Sequence, residues 1–279
     1  MEEDDLFYHY CSNEAFCSII NNKSIRLSSL ALSNDKTEGK LVSRIFKDLA
    51  EKESVKMDDL VEYIKGVEEN CHALGFCLSA QDDLLSQWRG YADNASGVAI
   101  GFSERCLEQF VDRKELCCKT AYVQFAQIEY DHDKQKELMG PVFKKMKDAV
   151  DRGGLRLLSE RGVSAEENNK RLDAYNELRG QTMNFFPETF LLKDEGFSEE
   201  REWRLLVQLD ENDLVGYGCK HRICDGKIVP YKDFQFDCSG IREVVLGPRN
   251  VNSEQMVTSF LNSKEVRDVN VRKSKIPYC

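Results

Sequence analysis

The sequence predicts an α+β fold with a split, mainly antiparallel sheet, helices packed around it, and a helical insertion over residues 132–192. Three observations carry this. Short apolar or alternating runs recur from residue 6 to residue 272, amphipathic stretches of helical period fall between them, and residues 132–192 hold long helical patterns with few strand signals before Pro187. With 279 residues and only 5 prolines, residues 1–279 are read as one domain carrying that insertion.

Taken in order, LFYHY at 6–10 is a short strand ending in His9 and Tyr10, and Ser12 caps a helix through Ala15, Phe16, Ile19 and Ile20. IRLSSL at 25–30 is a second strand, with Arg26 and Ser28 opposite Ile25 and Leu27, and the polar SNDKTEG turn follows. Two helices fill 38–70, one through Leu41, Val42, Ile45 and Phe46 and one through Leu60, Val61, Ile64 and Val67. ALGFCLS at 73–79 returns to strand. A helix then shows Leu84, Leu85, Trp88 and Tyr91 along one stripe, and Gly97 opens the strand GVAIGF. Ser103 caps a short helix with Leu107 and Phe110, and YVQFAQIEY at 122–130 is a strand. Beyond the insertion, IREVVLG at 241–247 is a strand, Ser253 caps a helix through Met256, Val257 and Phe260, and EVRDVNVR is the last strand. No internal repeat is present.

The most informative stretch is FSEEREWRLLV, residues 197–207. Read as a strand, it puts Trp203, Leu205, Val207 and Leu209 on one face and Glu200, Glu202 and Arg204 on the other. Like charges two residues apart repel unless a cation lies near. One account is a solvated surface network in which Arg204, Arg201 and Lys193 neutralise the two acids. The other is a site at the mouth of a sheet, where an arginine holds a carboxylate facing a cationic or hydroxyl-bearing ligand.

Composition narrows the function classes. The formal charge of −10 repels nucleic acid at long range, so such a partner needs a local basic patch. Lys144, Lys145 and Lys147 are the nearest approach to one, and their helical spacing reads as a solvated face. Eleven cysteines, an odd number with several in apolar runs, suit buried free thiols and a reducing cytoplasm. The MEEDDLF start lacks the features of a secretory leader, and no apolar run is long enough to span a bilayer, so no membrane partner is expected. No metal is expected either: His9, His72, His132 and His221 stand in no metal spacing, and Cys219, His221, Cys224 and Cys238 lack the knuckle that gives tetrahedral thiolate geometry. Cys117 and Cys118 belong to no recognisable motif. Glycine-rich nucleotide loops are absent from the sequence.

Three blocks carry a resemblance. LFYHYCSNEAFCSIINNKSIRLSSLALSNDKTEG, GFCLSAQDDLLSQWRGYADNASGVAIGF and FLLKDEGFSEEREWRLLV together resemble the bacterial domain of unknown function family 2971, across the start, middle and late part of the chain. The order of elements is more distantly similar to the ADP-ribosyltransferase fold. That likeness implies a His or Arg on a first strand, matched by His9, a Tyr or Ser/Thr on a second, matched by Tyr91 or Ser79, and a Glu on a later strand, matched by Glu202 within the Glu200–Glu202 pair.

The resemblance implies NAD as substrate and transfer of ADP-ribose to a macromolecular acceptor, protein or nucleic acid, as a toxin or phage-defence effector with a regulatory protein partner. In that scheme Glu202, Glu200 and Arg204 are the catalytic candidates, and His9, Tyr10, Ser28, Ser79, Trp88 and Tyr91 border the dinucleotide. A carboxylate on the ribose would stabilise the positive charge that develops as nicotinamide leaves. Two alternatives stand beside it: a non-catalytic module binding a nucleotide or protein, and a hydrolase or nuclease holding a divalent metal with Glu200, Glu202 and Asp35.

Overall fold

The structure, a computed structural model, describes residues 5–30, 37–52, 57–111, 122–156, 163–210, 217–224 and 226–278. It is a mixed α+β fold with a mostly antiparallel open sheet and helices. The order is β1 (Leu6–Cys11), α1 (Asn13–Asn22), β2 (Ser24–Ser29), α2 (Leu41–Lys52), α3 (Asp58–Asn70), β3 (Cys71–Ser79), α4 (Leu85–Tyr91), β4 (Val98–Ser103), α5 (Glu104–Val111) and β5 (Tyr122–Gln127). It continues through α6 (His132–Asp151), α7 (Ala165–Phe185), β6 (Glu202–Asp210), β7 (Lys220–Cys224), β8 (Lys227–Gln235), β9 (Ile241–Leu246), α8 (Glu254–Ser263) and β10 (Asn270–Lys273). Ser12 and Ser253 cap α1 and α8 through the amides of Ala15 and Met256, satisfying donors that the first helical turn leaves open.

The chain divides into two units. One, from Met1–Ser29, Ala73–Ile128 and Ser198–Cys279, contains the sheet. Its strands run β10-β9-β4-β1-β3-β2-β8-β7, and β5 and β6 join through a pairing of β6 with β3, so the sheet branches at β3. The β9–β10 pair is parallel, while β1–β4, β4–β9, β2–β3, β2–β8, β5–β6 and β7–β8 are antiparallel. Strand alternation sorts side chains between two faces. Phe7, Ile25, Leu27, Phe76, Leu205 and Val207 point to the face covered by α1, α5 and α8, in one large core. Tyr8, Tyr10, Ala99 and Val245 point the other way and pack on Trp88, Ala92 and Ala95 of α4 and its following loop. In that loop Asp93, Asn94 and Ala95 all have positive φ, and a Cβ on Gly97 would lie 2.1 Å from the Cys11 carbonyl, so only glycine fits there.

The other unit, from Leu30–His72 and Glu129–Phe197, is helical. Leu41, Ile45 and Phe46 of α2, Leu60 and Ile64 of α3, Met139, Phe143 and Met146 of α6, and Leu178 and Phe185 of α7 share its core. Residues 30–72 therefore contribute to this unit together with the stretch that contains 132–192.

Several expectations need correction. The 197–207 stretch is not one strand: Glu195–Glu200 is a 3-10 turn, Arg201 adopts φ 44°, and β6 begins at Glu202. Four successive charged residues lack strand propensity, and the left-handed residue takes Glu200 out of the alternation. Trp203, Leu205 and Val207 do line the core face, while the side chain of Leu209 falls outside the described ones. His9 is the fourth of six residues in β1 rather than its end. Strands β7 and β8 were not expected. KHRIC is too charged and KIVPYKDFQ carries Pro230, which demotes a strand signal, yet their register is continuous from Lys220↔Tyr231 to Cys224↔Lys227.

Candidate functional site

On β6 the residues opposite the core, Glu202, Arg204, Leu206 and Gln208, are buried, and all but Leu206 are polar. Arg204 donates from Nε to Glu202 Oε1 at 2.7 Å and from Nη2 to Oε2 at 2.9 Å, a two-pronged pair. Arg204 is 1% exposed and Glu202 6%, so the solvated network is replaced by an ion pair withdrawn from water. Such a pair persists because each charge compensates the other where neither has bulk solvent. Arg201 is exposed, and Lys193, in the helical unit, is buried with its ammonium 4.8 Å from the Phe197 ring centroid.

Just before β6, Glu200 is buried where the turn meets the end of β3 and the end of α4. Tyr91 Oη donates to Glu200 Oε1 at 3.1 Å, and Ser79 Oγ donates to the Glu200 carbonyl at 2.6 Å. The Gln81 amide in turn donates to Ser79 Oγ at 3.1 Å, and the Ala80 amide donates to the Arg201 carbonyl at 3.0 Å. These bonds bring Ser79, Tyr91 and Glu200 together, immediately before Glu202 and Arg204 in the chain. Tyr91 is 39% exposed, so of the two aromatic residues on the α4 stripe only Trp88 lies in the core.

Tyr10 and Trp88 stand behind this cluster as braces. Tyr10 Oη donates to the Gln81 carbonyl at 2.8 Å and accepts from the Leu84 amide at 3.0 Å, and its ring meets Trp88 edge-on with centroids 4.7 Å apart. Burial pushes the Tyr10 hydroxyl well above the ordinary phenol range. Trp88 is fully buried, and its Nε1 donates to Asp83 at 2.7 Å. Asp83 also accepts from Ser274 Oγ at 2.6 Å and the Lys275 amide at 2.7 Å. Sequence reasoning missed this aspartate, whose only linear signal is the acidic pair after β3. Ser28 shares the sheet face of Ser79, but it pairs with Gly75, four residues back along β3 and so about 13 Å away.

His9 does not join the cluster. Alternation along β1 turns it to the α1 face with Phe7, and its ring stacks on Phe76 with centroids 4.1 Å apart. Nδ1 lies 2.9 Å from the Cys77 carbonyl, which can only accept, so Nδ1 carries the hydrogen and Nε2 the lone pair. Burial lowers its pKa to about 4, against the opposing pull of the Cys77 carbonyl, and the ring is neutral at pH 7. The unfolded chain, with an ordinary pKa near 6.5, binds a proton that the folded chain refuses between about pH 6.5 and 4. Stability is therefore complete above pH 6.5 and falls as pH drops toward 4, by up to about 3 kcal/mol. Urea unfolding at pH 7 and pH 4.5 is expected to show that loss in the wild type and a smaller one in His9→Phe. Equal losses would overturn the assignment.

Among the described residues no group of three or more His, Cys, Asp or Glu side chains is placed to hold a metal ion, and Asp35, Cys117 and Cys118 lie outside them. Among the described residues Cys11, Cys17, Cys219, Cys224 and Cys238 are free thiols. Among the same residues no helix is long and apolar enough to cross a membrane.

Comparison with known proteins gives one match. Residues 87–205 match the family described as protein of unknown function (DUF2971), a span that runs from α4 to β6 and includes Trp88, Tyr91, Glu200, Glu202 and Arg204. It supports the likeness to that domain of unknown function over this span, and its description assigns no activity. Neither the curated proteins nor the solved structures contain a match.

Proposed function

We propose that the chain transfers ADP-ribose from NAD to a macromolecular acceptor, with Ser79, Tyr91 and Glu200 forming the place where NAD reacts. The observation that supports this is the Tyr91–Glu200 hydrogen bond of 3.1 Å beside a second carboxylate already neutralised by Arg204. A partly exposed aromatic ring suits stacking on nicotinamide, and a carboxylate oriented by that ring's hydroxyl suits the ribose. In the transfer, the ribose C1′–nitrogen bond breaks and nicotinamide leaves with the electron pair. The acceptor's nucleophile forms the new bond to C1′, and Glu200 takes the proton that the nucleophile loses. Glu202, bonded at both oxygens by Arg204, is a positioning residue in this scheme rather than the contacting acid. His9, on the other face, has no part in it.

Incubation of the purified protein with adenine-labelled NAD and a cell lysate tests this by following nicotinamide release and label transfer to protein or nucleic acid. Release is expected in the wild type and is expected to fall at least 100-fold in Glu200→Gln, with unchanged thermal unfolding. Turnover retained in Glu200→Gln and lost in Glu202→Gln would return the central role to Glu202. No release by the wild type would overturn the transferase.

A specific observation favours a second reading, that of a non-catalytic nucleotide- or protein-binding module. The closed Glu202–Arg204 pair satisfies both carboxylate oxygens without a ligand. Under that reading NAD or another nucleotide binds without nicotinamide release.

A further inference from the structure

The sheet unit carries a second feature, on strands β2, β8 and β7. Arg26 and Asp233 face each other across β2 and β8, and Ser28, Tyr231 and Lys220 form the next row across all three strands. Arg222 pairs with Val229 and Lys227 with Cys224 further along. Since Ile25, Leu27 and Phe234 point into the core, these residues point away from it. Among the described residues the face thus presents Arg26, Lys220, Arg222 and Lys227 against one carboxylate, Asp233, on a chain whose net charge is −10.

Arg26 is 44% exposed and Lys220 67%, and Lys227 is exposed as well, whereas Arg222 is half-buried beside the buried Val229. Asp233 holds Arg26 at 2.8 Å and Lys220 at 3.5 Å, which fixes both cations at the surface. The Arg26 guanidinium lies 4.1 Å from the Tyr231 ring centroid, within cation–π reach, on a side chain that is still partly exposed. Arg222 Nη2 reaches Ser28 Oγ at 3.5 Å, while its Nε is buried with no hydrogen-bond partner among the described residues. A buried donor left open is costly unless a ligand engages the same guanidinium.

We infer that this face of β2, β8 and β7 binds single-stranded nucleic acid. Arg26, Lys220, Arg222 and Lys227 occupy four successive rows about 7 Å apart along the strands, a spacing that follows a flexible phosphate chain. A base stacks on the Arg26 guanidinium beside the Tyr231 ring, and Arg222 and Lys220 take phosphates. A duplex keeps its bases inward and offers none to stack there. The surrounding negative charge confines binding to this patch and weakens it at a distance, so binding is strongly salt-dependent. The inference does not rest on the NAD reaction. Where both hold, nucleic acid is the acceptor that this surface delivers.

Fluorescence anisotropy with a labelled 12-nucleotide single strand, as DNA and as RNA, tests this with no NAD present, so its outcome is separate from that of the transferase. The wild type is expected to bind in 20 mM salt, with log K falling against log salt at a slope of about −2 to −3 for four phosphate contacts. Arg26→Gln/Lys220→Gln is expected to bind at least tenfold more weakly at unchanged melting temperature, and Lys144→Gln/Lys145→Gln on α6 as tightly as the wild type. Lys227→Gln, at an exposed position, repeats the test with a roughly threefold loss, as expected for one phosphate contact, should the double variant fail to fold. No wild-type binding would overturn the inference. So would equal loss in the α6 variant, or equally tight binding of the matching duplex or of polyglutamate, the latter pointing to an acidic peptide instead.

Discussion

Replacing Arg204 with Met is expected to lower the unfolding free energy by about 3–5 kcal/mol, the usual cost of removing one member of a buried ion pair. Glu202 would retain a carboxylate at 6% exposure with its two guanidinium bonds gone. The pair itself need not be strongly stabilising. Glu202→Leu/Arg204→Met, which removes both charges and keeps apolar volume, is expected to recover most of the loss. Urea midpoints of the two variants and the wild type decide it. A loss below about 1 kcal/mol in Arg204→Met would mean that water reaches the pair as it would at a surface.

Trp88→Ala is expected to cost about 3–5 kcal/mol, because a fully buried indole leaves a cavity that its neighbours fill only in part. It also removes the edge-on contact with Tyr10 and the Nε1 donor to Asp83. Trp88→Phe keeps most of the packing and loses that donor, so about 1–2 kcal/mol is expected. With Trp88 enclosed, Trp88→Phe should shift the melting temperature far more than the affinity for any ligand. A change in affinity at unchanged melting temperature would put Trp88 in contact with the ligand after all.

Local signals in the sequence were strong where a few residues decide the structure. Ser12 and Ser253 announce their helices, and the apolar runs of β1, β3 and β4 and the Trp203, Leu205, Val207 alternation emerge as read. What could not be read was decided by neighbours far along the chain. Whether Glu200 continues a strand depends on the backbone at Arg201, and a run of charged residues gives no sign of its φ of 44°. The separation of His9 from Tyr91 depends on which core each side of β1 meets, a property of helices that follow it. The burial of Glu202 and Arg204 reverses the ordinary expectation for charged strand positions. The basic face shows the same limit. Lys144, Lys145 and Lys147 are adjacent in sequence and catch the eye, and Lys147 pairs with Asp151 at 3.0 Å. Arg26 and Lys220 become neighbours only through β8.

The interleaving of the two units sets an order of assembly. The helical unit draws its last segment from residues up to Phe197, whereas the sheet unit needs everything from Ser198 onward. On a ribosome, β1 to β5 emerge before β6, β8 and β9 exist to pair with them. The ion pair that ties Arg26 to Asp233 closes a separation of 207 residues, and loops of that size slow the search for the native pairing. Until those late strands arrive, the apolar faces of β1, β3 and β4 have no completed sheet to enter. Nascent chains of this topology are expected to need protection from self-association during synthesis, and a stall between β5 and β6 is expected to leave an aggregation-prone species.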